Sequence, residues 1–424
     1  MARGNGRYVL LLVSLLGALI QAEAAGTETQ DIFERHKNGI VLIRVLNISS
    51  DAKVSVGSGF VASPAGLIVT NYHVISDLVH KPDQYRAEVV RQDGTSGPLV
   101  LLNFDAIHDL AIIKTDSASS HYFELRPEPL RKGSRVFSIG TPLDLGFTIV
   151  EGTYSGLLEE SLYEKVHFTG SINPGMSGGP AIIANGPVVG VNVATAGNQV
   201  SFLVPAKFVK KLLDETSVNS RLDGKTALQQ LRTQLLEHQN SYMAKLMALP
   251  LPTTALNQYR LPWKIAPFLK CWGDTDRRTE NLFVSITQEC FSEDHLYVSR
   301  SQASGIFSFK HDLLTTDKLN SLRFFRLYQN YFKSHQTAIR ADKEDVTRFR
   351  CNSDFVMQNA MTLKAVMCLR AYKKLPGLYD AVLRAATLDK NDTGVQTTLV
   401  LAGVSYENAT RFGRKYLESI SWTK

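Results

Sequence analysis

Residues 173–180 read Asn-Pro-Gly-Met-Ser-Gly-Gly-Pro, and they decide how the first half of the chain is interpreted. They place Ser177 on a glycine-dense bend directly before the apolar residues 181–183. Glycine has no Cβ, so the backbone can approach a carbonyl group closely. Such a bend can point two N–H groups, those of Gly175 and Ser177, at one oxyanion. A serine hydroxyl is a weak nucleophile, so the interpretation requires a histidine base and a carboxylate elsewhere.

Both required groups occur upstream, at the ends of predicted strands. His73 follows the apolar run 66–70, and Asp109 precedes the run 110–114. A single histidine after a strand is usually structural, but a histidine, an aspartate and a serine at strand ends point to one site. His73 would take the hydroxyl proton of Ser177 and return it to a leaving amine. Asp109 would orient the imidazole.

The overall composition is that of a globular protein. The 424 residues are 44% hydrophobic and 21% charged, which allows two or three domains. The net charge of +7 comes from a sequence of mixed sign without a basic run. Nucleic acid is therefore not an expected partner. We also expect no cofactor and no metal site.

Residues 1–24 predict a secretory signal peptide. Arg3 and Arg7 form a basic start, residues 8–20 are almost unbroken in apolar character, and Ala22-Glu23-Ala24 supplies small residues for cleavage. The apolar run is shorter than the ~20 residues of a membrane-spanning helix. An uncleaved anchor remains the alternative. We expect an exported protein, either periplasmic or secreted.

The rest of the chain divides into three parts. Residues 31–213 contain short β-branched runs separated by turn residues, which favours an all-β barrel or sandwich. Residues 214–259 predict a polar linker with an amphipathic helix. Residues 260–424 predict a separate mixed α/β domain. Helices are predicted at 205–213, 227–247, 318–335 and 406–420, and C-terminal strands at 282–286, 295–299, 306–309 and 397–401.

All four cysteines, Cys271, Cys290, Cys351 and Cys368, lie in the last part, and none forms a CxxC pair. The missing CxxC pair argues against a zinc site. An even number of cysteines in an exported protein favours two disulfides. Pairing Cys271 with Cys290 and Cys351 with Cys368 is the simplest of three connectivities. Free buried cysteines are the alternative.

The motifs of residues 57–213 occur in an order that resembles the protease domain of the HtrA/Deg family, trypsin-like serine peptidases of chymotrypsin fold. They are Gly57-Ser-Gly-Phe, Thr70-Asn-Tyr-His-Val, Asp109-Leu-Ala-Ile-Ile-Lys, Ser138-Ile-Gly-Thr-Pro, Ile172-Asn-Pro-Gly-Met-Ser-Gly-Gly-Pro and Gly190-Val-Asn. The resemblance implies an all-β double barrel, with the site between two six-stranded barrels. It also implies endopeptidase activity on protein substrates through an acyl-enzyme. It covers less than half of the chain.

The chain departs from the family pattern in three ways. Met176 stands where the family usually has asparagine, and Thr169-Gly170 stands where it often has Thr-Asp. The PDZ domain that commonly follows the protease is not found after residue 213. Activation by peptides through a PDZ domain is therefore not expected.

The resemblance also predicts a specificity pocket. In trypsin-like folds the residue six positions before the nucleophile, here Ser171, lies at the base of this pocket. Ser171 is not acidic, so cleavage after lysine or arginine is not expected. With Asn192, Val193 and Ala194 as one wall, the pocket would accept small or medium uncharged side chains.

Two other interpretations remain open. The protein could be an inactive protease-fold binding or scaffold module whose C-terminal domain docks a partner. That domain could also be an adaptor for a protein or a lipid surface, or a structural support for the barrels. HtrA proteases are often trimers, so a homo-oligomer is a further alternative to a monomer.

Overall fold

The computed structural model describes residues 28–116, 121–142, 145–197, 199–277, 282–334 and 339–423. The predicted signal peptide, residues 1–24, lies outside these residues. A helix, α1, covers residues 28–36 and precedes the first strand. Within the ranges given, no helix is both long enough and apolar enough to cross a membrane.

A seven-stranded antiparallel sheet begins the β region. Its strands are β1 (Ile40–Asn47), β2 (Lys53–Val61), β3 (Leu67–Thr70), β4 (Tyr85–Val90), β5 (Ser96–Pro98), β6 (Val100–Asp105) and β7 (Leu110–Lys114). Their order is β5-β4-β1-β2-β3-β7-β6. The two outer strands, β5 and β6, are joined by Leu99 alone, whose amide donates to the carbonyl of Ala87 at 3.4 Å. The chain itself therefore links the two ends of the sheet.

A closed six-stranded barrel follows. Its strands are β8 (Arg135–Gly140), β9 (Thr148–Leu157), β10 (Val166–Phe168), β11 (Pro180–Ile182), β12 (Val188–Gly197) and β13 (Val200–Pro205). Their order around the barrel is β10-β13-β12-β11-β8-β9. The family resemblance implied two six-stranded barrels. The second β unit is a six-stranded barrel, as implied. The first has seven strands because residues 96–105 form two short strands on either side of Leu99.

Three helices accompany these sheets. They are α2 (Tyr72–His80), α3 (Ala206–Asp214) and α4 (Gly224–Ala248). Helix α4 begins after Asp223, whose side chain accepts a hydrogen bond from the amide of Thr226 and caps the helix. The first half of α4 packs against the N-terminal sheet through Leu231, and its second half packs in the C-terminal core through Met243. The segment 214–259, predicted as a linker, thus contributes to two cores.

A second seven-stranded antiparallel sheet forms the C-terminal part. Its strands are β16 (Leu269–Asp276), β17 (Val284–Ser292), β20 (Phe307–Thr315), β21 (Arg350–Gln358), β22 (Met361–Ala371), β23 (Tyr379–Thr387) and β24 (Thr393–Val404). Their order is β16-β17-β20-β24-β23-β22-β21. The remaining elements are β14 (Thr253–Leu256), β15 (Tyr259–Pro262), β18 (Leu296–Ser299), β19 (Gln302–Ser304), α5 (Ser321–Ser334), α6 (Tyr406–Glu418) and β25 (Ser421–Trp422). Phe412 and Tyr416 of α6 are fully buried in the core beneath this sheet.

Two disulfides join the edge strands of this sheet to their neighbours. Cys271–Cys290 connects β16 to β17, and Cys351–Cys368 connects β21 to β22. In both pairs the cysteines lie directly opposite each other in the strand register. This is the neighbour pairing that the sequence favoured. Each edge strand is therefore attached covalently as well as by hydrogen bonds.

One hydrophobic core contains side chains from both halves of the chain. Around α2 it brings Val74 and Val79 together with Leu231 of α4, Val298 of β18 and Leu378. All five side chains are at most 2% exposed. The N-terminal sheet and the C-terminal part are therefore packed against each other through a common interior.

Candidate active site

Helix α2 places His73 beside Asp109. His73 is the second residue of this helix, which begins directly after β3 and Asn71. Its backbone amide donates to Asp109 Oδ1 at 2.8 Å, and its Nδ1 lies 2.6 Å from Asp109 Oδ2. With the proton on Nδ1, the imidazole donates to the carboxylate and leaves Nε2 able to accept a proton. The pair can therefore act as an oriented base.

The backbone of Asp109 is held in an unusual conformation. Its φ of +55° lies in the left-handed region, which costs a non-glycine residue on the order of 1–3 kcal/mol. The side-chain amide of Asn71 donates to the Asp109 carbonyl at 2.8 Å. The two hydrogen bonds from His73 hold the carboxylate itself. These contacts offset the strain and fix the direction of the side chain.

The bend that carries Ser177 is fixed by both sheets. The Ser177 carbonyl accepts from the amide of Ser58 at 2.7 Å, and the Gly178 amide donates to the carbonyl of Asn192 at 2.9 Å. Gly175 and Gly178 have φ values of +97° and +86°, which favour glycine. A Cβ on Gly178 would come within 2.2 Å of the Ser58 carbonyl oxygen. Glycine at position 178 therefore allows the bend to pack closely against β2, whereas the sequence had suggested a close approach to a substrate carbonyl.

Two backbone N–H groups of this bend are available for a ligand. Among the hydrogen bonds of the described residues, the amides of Gly175 and Ser177 donate to no protein acceptor. The Gly175 carbonyl, in contrast, accepts from Ser58 Oγ at 2.7 Å and from Thr141 Oγ1 at 3.4 Å. These bonds fix the backbone between the two amides. Both donors are thus left for a ligand, as an oxyanion site requires.

Met176 is a core residue of the closed barrel. Its side chain is fully buried among apolar residues that include Val136, Phe168 and Ile172. Its carbonyl accepts from the side-chain amide of Asn192 at 3.2 Å. Methionine at this position therefore packs the bend onto the barrel through apolar contacts and keeps the glycine turn.

Ser177 and His73 open onto one cavity but are not hydrogen-bonded to each other in the part of the chain described. Ser177 Oγ donates instead to the carbonyl of Val193 at 3.3 Å. The cavity has a volume of about 920 Å³, and His73, Asp109 and Ser177 all line it. Catalytic hydrogen bonds are often long or misaligned without substrate, so Ser177 remains a candidate nucleophile without this bond.

The residues predicted to form the specificity pocket do not all line the cavity. Val193 lines the cavity, whereas Ser171 is exposed and is not part of its lining. The structure corrects the placement of Asn192, whose buried amide donates to the Ile139 and Met176 carbonyls instead of facing the cleft. Asn192 also accepts a hydrogen bond from Ser138 Oγ at 2.9 Å. The side chain of Ala194 lies outside the described residues.

The C-terminal part supplies a wall of the cavity that the sequence did not predict. This wall consists of Phe268, Lys270 and residues 293–297. The ring of Tyr297 lies 5.1 Å from the His73 ring, and the ring of His295 lies 5.3 Å from that of Tyr297. Burial, and then the charge of Asp109, raise the pKa of Tyr297 above its ordinary value. Burial, and then Lys165, lower the pKa of His295. The first group therefore keeps its proton at neutral pH, and the second is mainly uncharged.

A second histidine–aspartate pair lies in the turn before Asp109. His108 Nδ1 is 2.6 Å from Asp105 Oδ2, and the His108 ring stacks on Phe208 at 3.7 Å. Asp105 also accepts a hydrogen bond from the backbone amide of Ile107 at 2.9 Å, so the His108–Asp105 pair fixes the turn. In the stretches of chain described, no cluster of three or more His, Cys, Asp or Glu side chains is placed to hold a metal ion.

Comparisons with known proteins find a similarity within the first half of the chain. Residues 57–191 match the family model described as a trypsin-like peptidase domain. The chain is 31% identical to Protease Do-like 1, chloroplastic, of Arabidopsis thaliana over 217 residues, which cover 44% of this chain and 47% of the relative. It is 30% identical to Serine protease HTRA1 of Xenopus laevis over 200 residues, covering 44% and 42%.

A bacterial relative has a similar identity to this chain over a similar part of its length. The chain is 31% identical over 170 residues to the probable periplasmic serine endoprotease DegP-like of Chlamydia pneumoniae, covering 38% of this chain and 34% of that protein. The chain thus spans less than half of the length of these relatives. Residues 57–191 are an HtrA-like, trypsin-like peptidase domain, as their motifs predicted.

Proposed function

We propose that this protein is an exported serine endopeptidase that cleaves protein substrates through His73, Asp109 and Ser177. The observation that carries the proposal is the two-point contact of Asp109 with His73, at 2.8 and 2.6 Å, beside Ser177 in one cavity. The similarity of residues 57–191 to trypsin-like peptidases supports it.

The residues of the cavity have complementary roles in peptide-bond cleavage. His73 Nε2 takes the proton of Ser177 as its Oγ attacks the scissile carbonyl, and the Gly175 and Ser177 amides donate to the oxyanion. His73 then protonates the leaving amine, which gives the acyl-enzyme. Water, activated by the same base, releases the acyl group. Asp109 stabilises the imidazolium in both steps.

Cleavage after small or medium uncharged residues is part of this proposal. The uncharged Val193 lines the cavity, and its carbonyl accepts a hydrogen bond from Ser177 Oγ at 3.3 Å. A peptide library reports the residue before each cleaved bond. Dominant cleavage after basic residues would contradict this specificity.

The second candidate is a protease-fold binding module without activity. The hydrogen bond from Ser177 Oγ to Val193, in place of one to His73, favours it. Labelling of the mature protein with a fluorophosphonate, with and without an unfolded substrate, separates the two candidates. We expect labelling of the wild type and none of Ser177→Ala. A wild type that stays unlabelled in every condition would leave the binding module as the function.

Export is supported by three features. They are the predicted signal peptide at residues 1–24, the two disulfides, and the similarity to a bacterial protein named as periplasmic. N-terminal sequencing of the protein recovered outside the cytoplasm tests cleavage after residue 24. Light scattering on the same material measures whether the protein forms a homo-oligomer.

A further inference from the structure

The β18–β19 hairpin is fastened to the helix that carries His73. The hydroxyl of Tyr72, next to His73, donates to the carbonyl of Val298 at 3.2 Å in the protein interior. Leu296 and Val298 are buried in the core that surrounds α2. The guanidinium of Arg300 donates to the carbonyl of Val54 on β2. The hairpin is therefore attached both to α2 and to strand β2 of the N-terminal sheet.

A buried polar contact holds the far end of the same helix. His80 Nε2 lies 3.0 Å from Asp345 Oδ1, and Ser301, in the turn between β18 and β19, donates to Asp345 Oδ2 at 3.0 Å. The side chains of His80 and Asp345 are 1% and 0% exposed. Helix α2 and the hairpin are thus held together at both ends, and the distance between His73 and β18 is fixed.

Tyr297 uses this attachment to reach the catalytic histidine. Side chains alternate along a strand, and Leu296 and Val298 face the core, so Tyr297 lies on the cavity side. Its ring centre is 5.1 Å from that of His73, with the ring planes inclined by 34°. Asp109 holds the imidazole at Nδ1, and a ring hydrogen-bonded at one atom can still tilt about that bond. Tyr297 packs where it restricts such tilting.

We propose that Tyr297 is a positioning residue for His73, through which the C-terminal part of the chain completes the catalytic centre. The inference rests on the proposed function. Tyr297 limits tilting of the imidazole away from the Asp109 carboxylate and partly shields the histidine–aspartate pair from water. Aromatic contacts of this kind change an equilibrium by about 3- to 10-fold.

A fluorophosphonate tests this role because it reacts with the serine without filling the peptide subsites. We compare the wild type with Tyr297→Leu and Tyr297→Phe, using the labelling rate and the kcat and KM for fluorescent casein. Tyr297→Leu is expected to slow labelling and to lower kcat by about 3- to 10-fold with KM unchanged, and Tyr297→Phe to restore both. Phe355→Ala, an exposed aromatic on β21, is the matched control and should leave both values unchanged.

Two outcomes overturn the inference. The first is labelling of Tyr297→Leu at the wild-type rate. The second is a change confined to KM, which would mean that Tyr297 only contacts the substrate. A wild type that does not label contradicts the proposed function instead. In that case NMR still tests the positioning role of Tyr297, because it measures how fast the His73 Nδ1 proton exchanges with solvent. We expect slow exchange in the wild type and Tyr297→Phe and faster exchange in Tyr297→Leu, and equal rates overturn the positioning role.

Discussion

Asp109 uses both of its carboxylate oxygens on His73. Oδ1 accepts from the His73 backbone amide at 2.8 Å, and Oδ2 lies 2.6 Å from Nδ1 of the ring. The first bond fixes the carboxylate relative to helix α2, and the second fixes the imidazole relative to the carboxylate. One side chain, in a left-handed backbone conformation with φ +55°, therefore connects the helix to the imidazole of the base.

Asp109→Asn should lower kcat by about 10³- to 10⁴-fold and leave the fold intact. Asparagine tolerates the left-handed backbone as aspartate does, but its amide N–H₂ would face Nδ1 and favour the wrong tautomer of His73. The measurement is kcat for casein together with the melting temperature. A loss below tenfold would contradict the role assigned to Asp109.

Asp105→Asn is the matched control, because it changes the other carboxylate of the same turn. The carboxylate of Asp105 is hydrogen-bonded to His108 rather than to His73. Burial opposes ionisation, but the hydrogen bond and the charge of His108 keep the pKa of Asp105 below its ordinary value. We expect this variant to be less stable and to retain kcat per folded molecule.

Met176→Asn should destabilise the protein by about 1–3 kcal/mol, because it buries an amide among apolar side chains. Met176 is fully buried next to Val136 and Ile172. Met176→Leu conserves the volume and should cost less than about 1.5 kcal/mol. Urea unfolding measures both. An Asn variant as stable as the wild type would show that this site accepts the residue that the family usually has there.

The stability of the protein should fall as the pH drops below about 6.5, in part because of His311. Burial lowers the pKa of His311 to about 4, although the Pro262 carbonyl and the charge of Asp312 oppose the shift. The unfolded chain, with an ordinary pKa of about 6.5, therefore binds a proton that the native state lacks. The contribution is fully present above pH ~6.5 and is lost toward pH ~4 by about 1.4 kcal/mol per pH unit.

His311→Gln removes this titration. The free energy of unfolding, measured in urea from pH 7 to 4.5, should decline less steeply in the variant, by about 1.4 kcal/mol per pH unit below pH 6. His238, whose pKa burial also lowers to about 4, remains in both proteins and keeps part of the slope. Parallel curves for the two proteins would contradict the assignment.

Mild reduction should open Cys351–Cys368 before Cys271–Cys290. Cys351 is exposed on the edge strand β21, whereas Cys290 is fully buried in the C-terminal core. Alkylation of the released thiols followed by mass spectrometry gives the order. Opening of the buried pair first would contradict the prediction.

Replacing Cys351 and Cys368 by alanine should cost about 2–4 kcal/mol of stability. The loss of hydrogen-exchange protection should be concentrated in residues 350–358, because among the described strands β21 lies at the edge of the sheet and pairs with β22 alone. The double variant of Cys271 and Cys290 is the comparison, and its loss should appear in β16.

The candidate site could be located from sequence because its parts are local. His73, Asp109 and Ser177 each follow or precede an apolar run, and the glycines of the bend mark a close backbone approach. Tyr297 had no such signal. Its contact with His73 depends on the packing of β18 against α2, which no periodicity of either segment encodes.

The strands and the predicted specificity residues also divide into those that the local sequence predicts and those that depend on tertiary packing. The sequence predicted β17, β18, β20 and β24 from apolar runs, but it did not predict β16, β21, β22 or β23. Exposure explains the omission of β21, on which most residues are exposed, but not that of β23, which is mostly buried. The wall residue Asn192 could not be placed, since both faces of β12 are buried at that point and alternation is lost. The disulfides were predictable because strands close in sequence pair as antiparallel neighbours, which brings their cysteines together.

The core shared by Val74, Leu231, Val298 and Leu378 sets the order of events during synthesis. A growing chain contains His73, Asp109 and Ser177 well before it contains the residues that enclose α2. Helix α2 cannot be fully buried until the chain through Leu378 is present. Its folding is thus governed by contacts of long sequence separation, which form slowly and leave apolar surface exposed in the meantime. A chain released earlier would be a target for chaperones and degradation.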